Sequence, residues 1–106
     1  MPPPLTAAER SGARDRALVA RRTRAEVKAK VRAGYLSFSQ VVDIAFTDTE
    51  QGRAVARMTV GELLLALPGV GPTTADRRLV ELGINGDRRL RALGERQRSQ
   101  LVAVFW

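Results

Sequence analysis

The sequence contains neither cysteine nor histidine. Without thiols there is no disulfide, no thiolate nucleophile and no zinc finger, and without imidazole there is no histidine base or histidine metal ligand. Long apolar runs are missing too: the longest, Leu63–Leu67 and Leu101–Trp106, fall far short of the ~20 residues of a membrane span. The opening Met1-Pro2-Pro3-Pro4 lacks the basic and apolar regions of a signal peptide, which predicts a cytoplasmic protein. Aromatic residues are only 5% of the chain. A small domain needs each of them for its core, so Tyr35, Phe38 and Phe46 are expected inside. Acidic charge is in deficit as well. Eighteen basic residues face eleven acidic ones, giving +7 and a pI near 11.4. Sixteen of the eighteen are Arg; only Lys28 and Lys30 are Lys. An Arg-rich polycation of this size points to a polyanionic partner.

What is present is one domain's worth of ordinary globular sequence: 106 residues, 44% hydrophobic and 27% charged. A chain of this length buries roughly 65% of its unfolded surface, enough for one modest core. Basic charge collects at the two ends. Residues 1–34 carry nine basic and three acidic residues (+6), residues 35–84 four and six (−2), and residues 85–106 five and two (+3). Helix signals dominate. Thr6…Glu9, Ser37…Gln40 and Thr59…Glu62 each set a hydroxyl three residues before Glu or Gln, the capping-box pattern that satisfies free N–H groups at a helix start. Gly34, Pro68-Gly69 and Gly83 supply stops. Helices are expected at about 6–33, from Ser37, from Thr59 to Leu67, at about 73–82 and at 95–105; the pattern leaves Thr47–Arg57 unassigned.

At 1.5 Å per residue the first helix spans ~40 Å. At 100° per residue, Arg10, Arg14, Arg21, Arg24, Lys28 and Arg32 fall within one stripe, beside Ala13, Ala20, Val27 and Val31. Large apolar anchors occur only in its second half, so the first half is expected to project as a basic arm. Like charges at i, i+4 disfavour an isolated helix by a few tenths of a kcal/mol per pair. The stripe is either a solvated helix face or a phosphate contact.

The segment Leu67-Pro68-Gly69-Val70-Gly71-Pro72-Thr73-Thr74-Ala75 is the most informative. Its glycines and prolines force a tight turn between two helices and leave room for another backbone at Gly69 and Gly71. The following helix then opens with exposed N–H groups, which accept a phosphate oxygen with no charged side chain.

Together with Leu82-Gly83-Ile84 and Arg88-Arg89-Leu90-Arg91-Ala92-Leu93-Gly94, this turn resembles the actinobacterial integration host factors. The likeness extends upstream through Met58-Thr59-Val60 and Gly34-Tyr35-Leu36-Ser37-Phe38-Ser39 to the Arg-rich first helix, covering nearly the whole chain. It implies an all-α fold in which a long N-terminal helix (arm, residues 1–34) precedes a compact bundle of short helices (35–106) holding a helix-two-turns-helix module. It also implies a monomeric nucleoid-associated protein that binds double-stranded DNA with little sequence preference, bends or compacts it, and assists a site-specific recombinase, with no cofactor. The positions carried over are Gly69 and Gly71, with Val70 between them, and the N–H groups near Thr73 and Thr74 at the turn, and Arg88, Arg89 and Arg91 in the basic cluster; Arg77 and Arg78, expected to compensate for Asp76, and the arm stripe join them as candidate DNA contacts. The family usually has basic residues where this chain has Pro72, Thr74 and Asp76, which points to a diverged paralogue.

Two other classes fit parts of the sequence. Helix-two-turns-helix modules occur in a ribosomal protein, so RNA binding is one alternative. An apolar C-terminus, Val102, Val104, Phe105 and Trp106, would suit a protein adaptor, although closing the core is its expected role; an exposed Trp106 would favour the adaptor. Asp43, Asp48 and Glu50 cluster but form no recognisable acid–base or metal pattern, so the chain is read as a non-enzyme.

Overall fold

The computed structural model describes residues 3, 4 and 6–106; Met1 and Pro2 of the Pro-rich start, and Leu5, lie outside the described residues. Six α-helices follow in order: α1 (Ala7–Arg32), α2 (Phe38–Ala45), α3 (Glu50–Ala56), α4 (Val60–Ala66), α5 (Pro72–Leu82) and α6 (Glu95–Phe105), with a single 3₁₀ turn at Leu90–Ala92. The fold is all-helical, as expected.

Each start has a local cause. Ser37 and Thr59 accept from the N–H groups of Gln40 and Glu62, and those side chains accept in return from the Ser37 and Thr59 N–H groups, completing two capping boxes. Thr6 forms only half of its expected box, accepting from the Glu9 N–H at 3.1 Å. Gly34 and Gly83 leave their helices at φ +83° and +68°, conformations that glycine adopts without strain.

The segment without an expectation, 47–57, folds as α3. Thr49 caps it by accepting from the Gly52 N–H at 2.9 Å. Gly52 is there for contact: a Cβ would lie against the Thr47 hydroxyl and 2.6 Å from the Ile44 carbonyl, so only glycine lets α3 close onto the end of α2.

One core draws on every helix. Val27 and Val31 of α1, Phe38 and Val41 of α2, Val55 of α3, Leu63 and Leu64 of α4, Leu79 of α5 and Leu101 of α6 are buried around Met58 and Leu90. Only Val27 and Val31 of α1 are buried, and its first half is almost wholly exposed, including Leu18 and Val19. The segment 85–90 is stitched to the start of α4 by Val60 N–H to Arg88 O, Leu90 N–H to Met58 O and Gly61 N–H to Gly86 O, each 2.9 Å.

Two expectations about the core need correction. Of the three aromatics expected inside, only Phe38 is buried; Tyr35 is 80% and Phe46 42% exposed. Tyr35 follows the Gly34 turn, where the chain passes outside the body before α2 begins. Phe46 lies one residue past α2 and carries the Arg98 guanidinium 4.0 Å above its ring, a cation–π contact made at the surface. The C-terminus closes the core only in part. Val102 and Phe105 pack on it, with Phe105 against Phe38 at 5.9 Å, whereas Val104 and Trp106 stay outside, Trp106 75% exposed. Trp106 lies beyond the last turn of α6.

Candidate nucleic-acid interface

The turn between α4 and α5 is built by its glycines and prolines. Gly69 has φ +76°. Gly71 is different: its φ is −93° and nothing lies within 4 Å of where a Cβ would stand. The fold therefore does not require glycine at position 71, and its bare backbone leaves the surface there open. Pro72 takes the first position of α5, where its missing N–H costs nothing. Ala75 N–H already bonds Gly71 O, so the N–H groups of Thr73 and Thr74 remain as open donors at a helix end with no side-chain cap. Val70 is half-buried against the core and fixes the turn from beneath. By contrast, α1 to α4 all have hydroxyl caps.

Charge divides around this module. Glu62, Asp76 and Asp87 line the notch between α4 and α5, so a polyanion is repelled from that side. Arg77 is exposed, and Arg78 bonds Glu81 at 3.3 Å on the surface. Among the described residues the only other ion pair is Arg53–Asp48 at 3.0 Å. Most guanidinium groups therefore have no carboxylate partner, although the chain carries eleven acidic residues.

The downstream cluster is held by backbone rather than by acids. Arg88 donates to Ala92 O at 3.1 Å and to Gln97 Oε1 at 3.3 Å, Arg89 donates to Arg57 O, and Arg91 is exposed on the 3₁₀ turn. On α1, Arg10, Arg14, Arg21 and Arg32 are exposed, while Arg24 and Lys28 are half-buried. Arg24 departs from the free stripe: it turns in and donates to Ala54 O at 3.3 Å, near the C-terminal end of α3, a carbonyl that also accepts from the Arg57 N–H at 3.4 Å. The fold brings Arg21 and Arg24 of the stripe to Arg89 of the cluster across one cleft, and adds Arg57, which the sequence reading passed over. Recognising Thr49 as a helix cap would have put Arg57 at the exit of α3, next to Met58-Thr59.

Residues 31–105 match the S13-like H2TH domain family. Over 103 residues, 97% of the chain, it is 42% identical to the integration host factor of Mycolicibacterium smegmatis and 41% identical to that of Mycobacterium tuberculosis, covering 94% of each. The chain belongs to the integration host factor family. The Streptomyces coelicolor integration host factor is 37% identical over the same length. A solved structure of sIHF bound to an 8 bp palindromic DNA superposes with a TM-score of 0.75 at 35% identity, covering 87% of this chain and 99% of that one. The H2TH part occupies most of the chain, and α1 lies largely before it.

Proposed function

We propose that the chain is a nucleoid-associated protein that grips the backbone of double-stranded DNA, with weak sequence preference, and bends or compacts it. The observation that carries this is the uncapped start of α5, where Thr73 and Thr74 N–H groups stand open beside a glycine that the fold does not need. Its relatives are integration host factors and its structural neighbour was solved on DNA, which supports the same reading. The turn, the helix start and Arg77, Arg88, Arg89 and Arg91 form one contact, and Arg10, Arg14, Arg21, Lys28 and Arg32 of the arm form a second.

Two contacts set at an angle hold a bend, which over ~20–30 bp costs on the order of 1–6 kcal/mol and is offset by charge-assisted Arg–phosphate bonds. In this scheme residues 1–34 act as the arm and 35–106 as the body, working as a monomer without catalysis. A recombinase assembling on the bent DNA is the partner that such bending serves. Trp106 and Val104 are exposed, but single apolar side chains at the surface are ordinary and do not favour the adaptor reading over DNA binding.

Gel shifts on random-sequence duplex across a salt series test this, with structured RNA as competitor. Binding should be sequence-tolerant, with log K falling against log salt at about −0.9 per phosphate neutralised. A single sharply defined footprint, or preferential displacement by RNA, would contradict it.

A further inference from the structure

Between the arm and the body lies a cleft of about 340 Å³ whose walls are Ala17, Ala20, Arg21, Arg24, Arg57 and Arg89. Four guanidinium groups from three separate stretches of chain converge there, and no carboxylate lines it. None of the four has an acidic partner within salt-bridge distance among the described residues. Two of them are fixed by backbone carbonyls, Arg24 by Ala54 O and Arg89 by Arg57 O. Each such carbonyl engages one N–H of a guanidinium that has five, so most donors stay available. Ala17 and Ala20 keep the arm's side of the cleft low enough for a ligand to reach the charges.

We infer that this cleft is a seat for one phosphodiester group of the bound duplex, a site distinct from the α5 start, which locks the angle between arm and body. The inference rests on the DNA-binding reading above. Converging like charges raises the energy of the free protein, and a tetrahedral dianion or phosphodiester relieves it with several charge-assisted bonds at once. Small walls, forked donors and the absence of an acid suit a compact phosphorus oxyanion rather than a peptide carboxylate or an apolar group. Because Arg21 and Arg24 belong to α1 whereas Arg57 and Arg89 belong to the body, a phosphate in the cleft bridges the two. DNA seated there draws the basic arm into register with the module, and the geometry of the bend follows from that closure.

The test uses the full chain, random-sequence duplex, and the variants Arg57→Gln and Arg57→Lys, with Arg22→Gln on the exposed arm as a charge-matched control. Arg57 contributes only backbone groups to the fold's hydrogen bonds, its N–H to Ala54 O and its carbonyl to Arg89, so its side chain can change without unfastening Arg89. Arg57→Gln should bind DNA about tenfold more weakly, and its salt slope should be shallower by about 0.9. Arg57→Lys should keep the slope. Arg22→Gln should lose less of both than Arg57→Gln. Should Arg57→Gln fail to fold by circular dichroism, Arg21→Gln, exposed on a helix, carries the same expectation.

Inorganic pyrophosphate at constant ionic strength provides the second arm. It should shift the amide resonances around Arg57 and Arg89 in the unmodified chain and not in Arg57→Gln. Wild-type binding with an unchanged slope in Arg57→Gln would overturn the seat while leaving DNA binding intact. Pyrophosphate saturation with that unchanged slope would mean that the cleft takes free phosphate compounds instead of the duplex, and would also overturn it. No binding of duplex by the unmodified chain would overturn the underlying functional reading.

Discussion

The starts of α4 and α5 lie twelve residues apart and obey opposite rules. At α4, Thr59 and Glu62 exchange hydrogen bonds with the backbone, and little donor capacity faces outward. At α5, Gly71 and Pro72 offer no side-chain cap, and the Thr73 and Thr74 amides face solvent. Replacing a hydroxyl cap by alanine costs about 1 kcal/mol, and by glycine, the residue at this cap, only a few tenths. The chain uses hydroxyl caps at α1 to α4, and at α6, where Gly94 has none, the Gln97 side chain accepts from the Gly94 N–H instead. The start of α5 has neither kind of partner, and the proposed phosphate contact would use the donors it leaves open.

Loading the open start with charge should have the largest effect. Gly71→Glu introduces a carboxylate where a phosphate would lie, and should weaken duplex binding on the order of 10²-fold or more, as expected for a charged hydrogen bond lost and a repulsion gained. The backbone at residue 71 is extended and the space is empty, so circular dichroism should show an unchanged helix content. Next is the triple variant of Arg88, Arg89 and Arg91 to Ala, which should flatten the salt slope by about one unit per contact removed. Removing residues 1–20 should follow. Val27 and Val31 remain to anchor α1, so the body should still unfold cooperatively, while DNA bending measured by fluorescence transfer between labelled duplex ends should fall. Unfolding of that shortened chain would show that the arm is structural.

Changes at the closed starts and the core should sharpen the contrast from the other side. Gly52→Ala pushes a methyl group into the Thr47 and Ile44 backbone and should cost about 1–3 kcal/mol in urea unfolding, with duplex affinity per folded molecule unchanged. Ser37→Ala removes one capping bond of α2 and should cost about 1 kcal/mol with the same neutrality toward DNA.

Helix starts and the glycine turn were legible in the sequence because their causes are local: a hydroxyl three residues before Glu or Gln, or a glycine where the chain must reverse. The last helix, Glu95–Phe105, agrees residue for residue, although no hydroxyl marks its start. Segment 47–57 was not legible, since Gly52 reads as a helix breaker and its justification is a contact with Ile44 and Thr47 that exists only once α3 packs. Tyr35 and Phe46 were misassigned because scarcity of aromatics argues for burial, whereas a turn and a cation–π contact hold these two at the surface. The open amides of α5 followed from the sequence. The convergence of Arg21, Arg24, Arg57 and Arg89 did not, because it depends on how α1 lies across the body.

The most direct test of the open helix start is the amide spectrum of Thr73 and Thr74 during titration with a short random-sequence duplex at low salt. Both resonances should move early and saturate with the binding curve, while the capped Gln40 and Glu62 amides stay in place. Unmoved Thr73 and Thr74 resonances in a saturated complex would contradict the account.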